Sequence, residues 1–228
     1  MSVHLQREIQ KLKRKVLSLS AIVEQRVHQA VKAVEQRDAA LAELVIDGDS
    51  QVDRAEVEVE EECLKILALH QPVAADLRLI VAVLKINNDL ERIGDLAVNI
   101  ARKAVAFASE QTVTEIPFDL AGMSEKTKAM LRDSLDSLVN LDAGLARRVC
   151  ARDQEVNQQK RDIRLQVEEL VRIHPDRATP LLKLQAASRN LERIADLATN
   201  IAEDVIYMVE GEIARHGPGG RDTTGGKT

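Results

Sequence analysis

One thirteen-residue stretch of this chain recurs, changed at only three positions. Residues 89–101 read DLERIGDLAVNIA and residues 190–202 read NLERIADLATNIA, with ten of the thirteen positions identical. Chance would give about one or two matches in so Leu- and Ala-rich a composition. The correspondence extends upstream: Asp38-Ala-Ala-Leu-Ala returns as Asp142-Ala-Gly-Leu-Ala, and Asp49-Ser-Gln-Val-Asp53 returns as Asp153-Gln-Glu-Val-Asn157, both 104 positions later. Pro72 after His70-Gln71 has its counterpart in Pro175 after His174, at an offset of 103. An offset that shrinks from 104 to 101 across a Pro-containing turn is what two copies that differ in loop length would show. The chain is a tandem duplication, so each copy must fold into the same small unit.

That unit is helical. Leu5, Ile9, Leu12, Val16, Leu19, Val23, Val27, Ala30 and Val34 recur at steps of three and four, the period of one helix face. Asp38 is placed to cap a second helix from Ala39 to about Leu69. Gln71-Pro72 breaks it, and a third helix continues to about Ser109. The short, β-branched, Pro-containing stretch 110–117 marks the boundary between copies. Asp119 then caps a helix to Asn140, Asp142 caps one to Ile173, and the last runs from the His174-Pro175 break to about His216. The expected fold class is all-α: two antiparallel three-helix bundles, residues 1–112 and 113–216, followed by a disordered Gly-rich tail, 217–228.

Composition removes several functions. A net charge of −5 and three aromatic residues among 228 argue against nucleic-acid binding, which needs a basic footprint and stacking platforms. The longest apolar run, Leu79–Leu84, is too short to span a bilayer. The charged beginning of the chain does not resemble a secretory signal. Cys63 and Cys150 are solitary, as reduced thiols of a cytoplasmic protein would be. No Ser/His/Asp or Cys/His constellation is visible, and the chain is expected not to be an enzyme. Gly226-Lys227-Thr228 is not a phosphate-binding loop, because the required first glycine falls on Arg221.

The carboxylates carry the remaining chemistry. Glu91 and Asp95 lie one helical turn apart on one face, with Asn88 and Asn99, opposite Leu90, Ile93, Ala97 and Ile100. Glu192, Asp196, Asn200 and Glu203 form the equivalent stripe in the second copy. The preceding helix supplies a matching pair each time: Asp49 with Asp53, and Asp153 with Asn157. In a hairpin broken at Pro72, residues 49–53 and 91–95 stand at the same height, and residues 153–157 and 192–196 do so about Pro175. Carboxylates converging in this way repel one another unless a cation neutralises them. An oxygen-only donor set suits Fe(III), Mn, Mg or Ca better than a Cys/His zinc site. Asn157 lowers the charge of the second cluster. Arg92 and Arg193, recurring beside the acids, are the structural alternative to a metal. A solvated acidic face also stays open.

Taken together, the twin LERIGDLAVNIA and LERIADLATNIA segments, DGDSQVD in the second helix and QPVAADLRLI after the first break resemble the PhoU family. The resemblance covers residues 1–216. It implies two similar three-helix bundles whose acidic motifs hold multinuclear metal clusters, Fe(III) favoured, with Zn, Mn or Mg possible. Carried over residue by residue, the metal pattern falls on Asp49, Asp53, Glu91 and Asp95, then Asp153, Asn157, Glu192 and Asp196. Asn157 and the segment HPDRATPLLKL, where the first copy has QPVAADLR, depart from the pattern.

The implied function is negative control of the phosphate regulon and of phosphate uptake. It would act through contact with PstB, the ATPase of the phosphate ABC transporter, and with the sensor histidine kinase PhoR, as a cytoplasmic homodimer. Two other classes compete with this reading. A carboxylate-bridged oxidase or metal-storage protein would want Glu-x-x-His motifs facing a bundle core, and residues 1–216 contain none. A purely structural helical scaffold would leave the acids solvated.

Overall fold

The computed structural model describes residues 3–113 and 115–211. Seven α-helices account for nearly all of these: α1 (Val3–Gln36), α2 (Ala39–Asp47), α3 (Asp49–His70), α4 (Ala74–Ala108), α5 (Leu120–Asn140), α6 (Ala143–Ile173) and α7 (Ala178–Glu210). Among the described residues there is no strand. The fold is the expected all-α tandem. The first unit is α1, the α2–α3 pair and α4, and the second is α5, α6 and α7. The expected tail, 217–228, lies outside the described residues.

The helices begin where local chemistry says they should. Asp38, Asp119 and Asp142 each accept a hydrogen bond from a backbone N–H of the first turn, at 2.9, 2.8 and 2.9 Å. This satisfies one of the donors that a helix start leaves orphaned. The preceding turns recur as well: Arg37 and Leu141, 104 positions apart, both sit at positive φ (54° and 51°) just before their capping aspartates. Asp142→Ala is expected to lower stability by about 1 kcal/mol, measured by denaturant unfolding, whereas Asp142→Asn should change it little.

Two boundaries differ from the sequence expectation. The second helix is interrupted at Gly48. There Arg26 of α1 donates to the carbonyl oxygens of Leu44 (2.8 Å) and Val45 (3.5 Å) and to Gln51 Oε1 (3.1 Å). A Cβ on Gly48 would lie 1.8 Å from that guanidinium, so the absent side chain leaves room for the arginine to cap the end of α2. The last helix is capped at Gly211, and the expected stretch on to His216 lies outside the described residues. Gly211 adopts φ 75° and its N–H bonds to the Tyr207 carbonyl at 2.9 Å, the left-handed ending that glycine favours.

All nine apolar positions of the α1 face are buried, and so are Leu90, Ile93, Ala97 and Ile100 of α4. They belong to a continuous apolar core running through both units. The two helices that carry the twin segment, α4 and α7, pack on each other across the repeat. Lys85 of α4 pairs there with the buried Asp204 of α7 at 3.3 Å and lies 5.4 Å from the Tyr207 ring centroid. The connecting segment is also held down. The Arg37 guanidinium covers the Phe107 ring at 4.5 Å and donates to the carbonyl oxygens of Glu110 and, at 2.9 Å, Val113. The basic run Lys11–Lys15 is a solvated face whose lysines reach Glu62 (2.6 Å) and Glu58 (3.0 Å) on α3.

Candidate functional site: two carboxylate clusters

The break at Gly48 starts α3 on Asp49, and the hairpin at Gln71–Val73 returns α4 alongside it. Gly94 lies between Glu91 and Asp95 at this contact, and a Cβ there would come within 3.0 Å of Val52 Cγ1. The missing side chain lets α4 sit close against α3 at the level of the acids. The charges on the two helices consequently feel each other. Asp49 is held above the usual carboxylate range by burial first, then by Asp53 and by Asp95 across the hairpin. Glu91 is raised by burial, then by Asp95, Glu56 and Asp53. Asp49, Asp53, Glu91 and Asp95 are thus brought together as their spacing suggested.

Glu56 is a fifth member that sequence reasoning missed. It too is raised, by burial and then by Glu60 and Asp53. Buried Asn87 of α4 donates to its Oε1 at 2.8 Å and to its backbone carbonyl at 3.1 Å, which fixes the carboxylate toward α4. Its spacing of three from Asp53 and its shared face were the available signal. Among the described residues no Lys or Arg forms an ion pair with any of the five. Arg92 and Arg102 lower Glu91 and Asp49 only through their charge, the former being exposed.

The second cluster uses the same scaffold and different chemistry. Asp153 and Asn157 come from α6, Glu192 and Asp196 from α7. Asn157 Nδ2 donates to Asp153 Oδ2 at 2.7 Å. Lys160 Nζ, another residue the sequence reading passed over, reaches Glu192 Oε1 at 2.5 Å. Asp196 is pushed up to about 6, by burial first, then by Glu192 and Asp153, against the opposing charge of Lys160. Asp153 Oδ1 is buried with no hydrogen-bond partner. Arg193 stays exposed and takes no part in the ion pairing of the cluster.

Among the described residues no three His, Cys, Asp or Glu side chains close into a ready-made coordination cage. The first cluster fits a cation by its donor chemistry and by a repulsion that Arg26, Arg92 and Arg102 offset only through their charge: five hard carboxylates with no ion pair among the described residues. The second cluster fits one less well, because Lys160 answers the charge of Glu192 and Asn157 occupies one oxygen of Asp153. The two thiols are inert: burial pushes Cys63 up to about 12 and Cys150 up to about 11. No described helix is long and apolar enough to cross a membrane.

Comparison with known proteins places this architecture. The PhoU domain family matches residues 16–104 and 120–205, one match in each unit. The phosphate-specific transport system accessory protein PhoU homolog of Pseudomonas putida is 35% identical over 209 residues, spanning 92% of this chain and 82% of that protein. The corresponding homolog of Aquifex aeolicus is 37% identical over 211 residues, covering 92% and 95%. The crystal structure of PhoU from Pseudomonas aeruginosa superposes with a TM-score of 0.87 at 35% identity, covering 91% of this chain and 99% of that one.

Proposed function

Because this chain belongs to the PhoU family, we propose that it is an accessory regulator of phosphate-specific transport, restraining phosphate uptake and the phosphate regulon when phosphate is plentiful. The observation that carries this is the match along both units to relatives named as accessory proteins of that transport system. The finer reading is that it works by protein contact, as a cytoplasmic homodimer that docks on the transporter ATPase PstB and on the sensor kinase PhoR. Two long bundles sharing one core supply stiff helical faces for such contacts. No catalytic step is required of it. A strain lacking the protein is expected to express its phosphate-starvation genes in phosphate-rich medium, and the purified chain to retain PstB or PhoR from solution. Normal regulation in the deletion strain, with no second copy of the gene compensating, would contradict the proposal.

The proposed role of metal belongs to the first cluster. Asp49, Asp53, Glu91 and Asp95 would hold it, with Glu56 at the edge. The donor set favours Fe(III), with Mn, Mg or Zn as the other ions such oxygens accept. A bound cation would supply positive charge, and the protein's part is to hold two helices in register so that four carboxylates reach it. Neutralised in this way, α3 and α4 would be locked together across a face available to a partner.

A further inference from the structure

We infer that Lys160 is a built-in counter-cation of the second carboxylate cluster and keeps metal ions out of it. The repeat makes the substitution visible. At the offset of 104 that relates Asp49 to Asp153 and Asp53 to Asn157, Glu56 corresponds to Lys160. One helix therefore offers Asp-Asp-Glu to its hairpin partner, and its copy offers Asp-Asn-Lys. The facing residues, Glu91 with Asp95 and Glu192 with Asp196, are the same in both. The first cluster brings together five acids without a cation in contact. The second brings together three, and an ammonium group sits 2.5 Å from one of them.

The contact is more than a decoration of the surface. The Glu192 side chain is only 12% exposed, and its charge and that of Lys160 both act on Asp196. An ion pair shielded on one side from water is held more firmly than the exposed pairs that contribute little. Asn157 adds to the effect by donating to Asp153, occupying an oxygen that a metal would need. A divalent ion entering here would have to displace the ammonium and break the hydrogen bond from Asn157 for the sake of three acids.

The half of this inference that contrasts the two units rests on the reading of the first cluster as a cation site, whereas the role of Lys160 does not. The test uses the full chain with the first cluster neutralised by Glu91→Gln and Asp95→Asn, so that only the second can respond, with Mn(II) as the probe. With Lys160 in place, no Mn(II) should be retained through a desalting column, and EDTA and Mn(II) should give the same melting temperature. Lys160→Met keeps the aliphatic stem and removes the charge. It should lower the melting temperature in EDTA by several degrees, and Mn(II) should restore it. Lys160→Arg should behave as the parent, and Glu192→Gln should rescue Lys160→Met in EDTA, a coupling that a merely packed side chain would not show. Asn157→Asp with Lys160→Glu, which recreates the charge pattern of the first unit, should retain Mn(II). Retention of Mn(II) by the cluster with Lys160 intact overturns the inference. So does a Lys160→Met chain whose melting temperature in EDTA is unchanged, or one that gains no Mn(II). Failure of the first-cluster reading looks different: wild-type protein, with Glu91 and Asp95 intact, would itself retain no metal.

Discussion

Replacing Glu91 by Gln and Asp95 by Asn is expected to make the chelator-treated protein more stable than wild type and to remove the stabilisation that metal confers. Both effects have one cause. Asp49 and Glu91 are held above the ordinary carboxylate range by burial and by one another's neighbours. A carboxylate raised in the folded state binds protons more tightly there than in the unfolded chain, so a stability deficit grows as pH rises through that window. Amide side chains of the same size remove it. Because these acids are largely open to water, the gain without metal is modest, a few tenths to about 1 kcal/mol. Metal linkage contributes more: a cation present at a hundred times its dissociation constant stabilises the folded state by about 2.7 kcal/mol. Thermal unfolding of both proteins with EDTA and with Mn(II) checks the pair of signs. Equal melting temperatures in all four conditions would mean that the acids are simply solvated.

Asp196→Asn is expected to stabilise the protein above pH 6 and to leave it unchanged near pH 4. The carboxyl is raised from 3.8 to about 6 by burial, then by Glu192 and Asp153. Between those two values the folded chain holds a proton that the unfolded chain has released. Wild-type stability therefore declines from about pH 4 to about pH 6, and above that the whole penalty is present. In a dry site the lift corresponds to about 3 kcal/mol. Water reaches this half-buried residue, and screening brings the expected gain to about 1.5 kcal/mol. Urea unfolding of wild type and variant at pH 4, 6 and 8 reads the difference directly. A constant difference across the range would show that the substitution acts through packing rather than charge.

Much of the architecture could be read from residues because it is decided locally. A capping aspartate before an apolar period announces a helix start, and Asp38, Asp119 and Asp142 each do so. The nine α1 positions at steps of three and four are buried because that period has one face. What escaped was decided by contact between distant segments. Gly48 interrupts an apolar pattern that runs on through Val45 and Val52, and the interruption is set by Arg26, 22 positions earlier. Gly211 ends α7 although apolar residues continue past it, since a left-handed ending depends on backbone geometry rather than hydrophobic period.

The clusters divide in the same way. Four positions per hairpin follow from counting outward from Pro72 and Pro175, four acids in the first and three acids with Asn157 in the second. Glu56 and Lys160 do not, since a charge on a helix surface reads as solvated until the opposite helix is in place. Asn87 turns Glu56 inward and Glu192 captures Lys160, and neither partner is near in sequence.

On the proposed reading, two copies of one fold have come to hold different charges, a metal in the first cluster and a lysine in the second. Elemental analysis of the full chain, purified without added metal, tests it most directly when wild type is set beside Glu91→Gln/Asp95→Asn and Glu192→Gln/Asp196→Asn. The predicted result is metal in wild type, none in the first variant and an undiminished amount in the second. Metal-free wild type, or metal lost when Glu192 and Asp196 are changed, would contradict it.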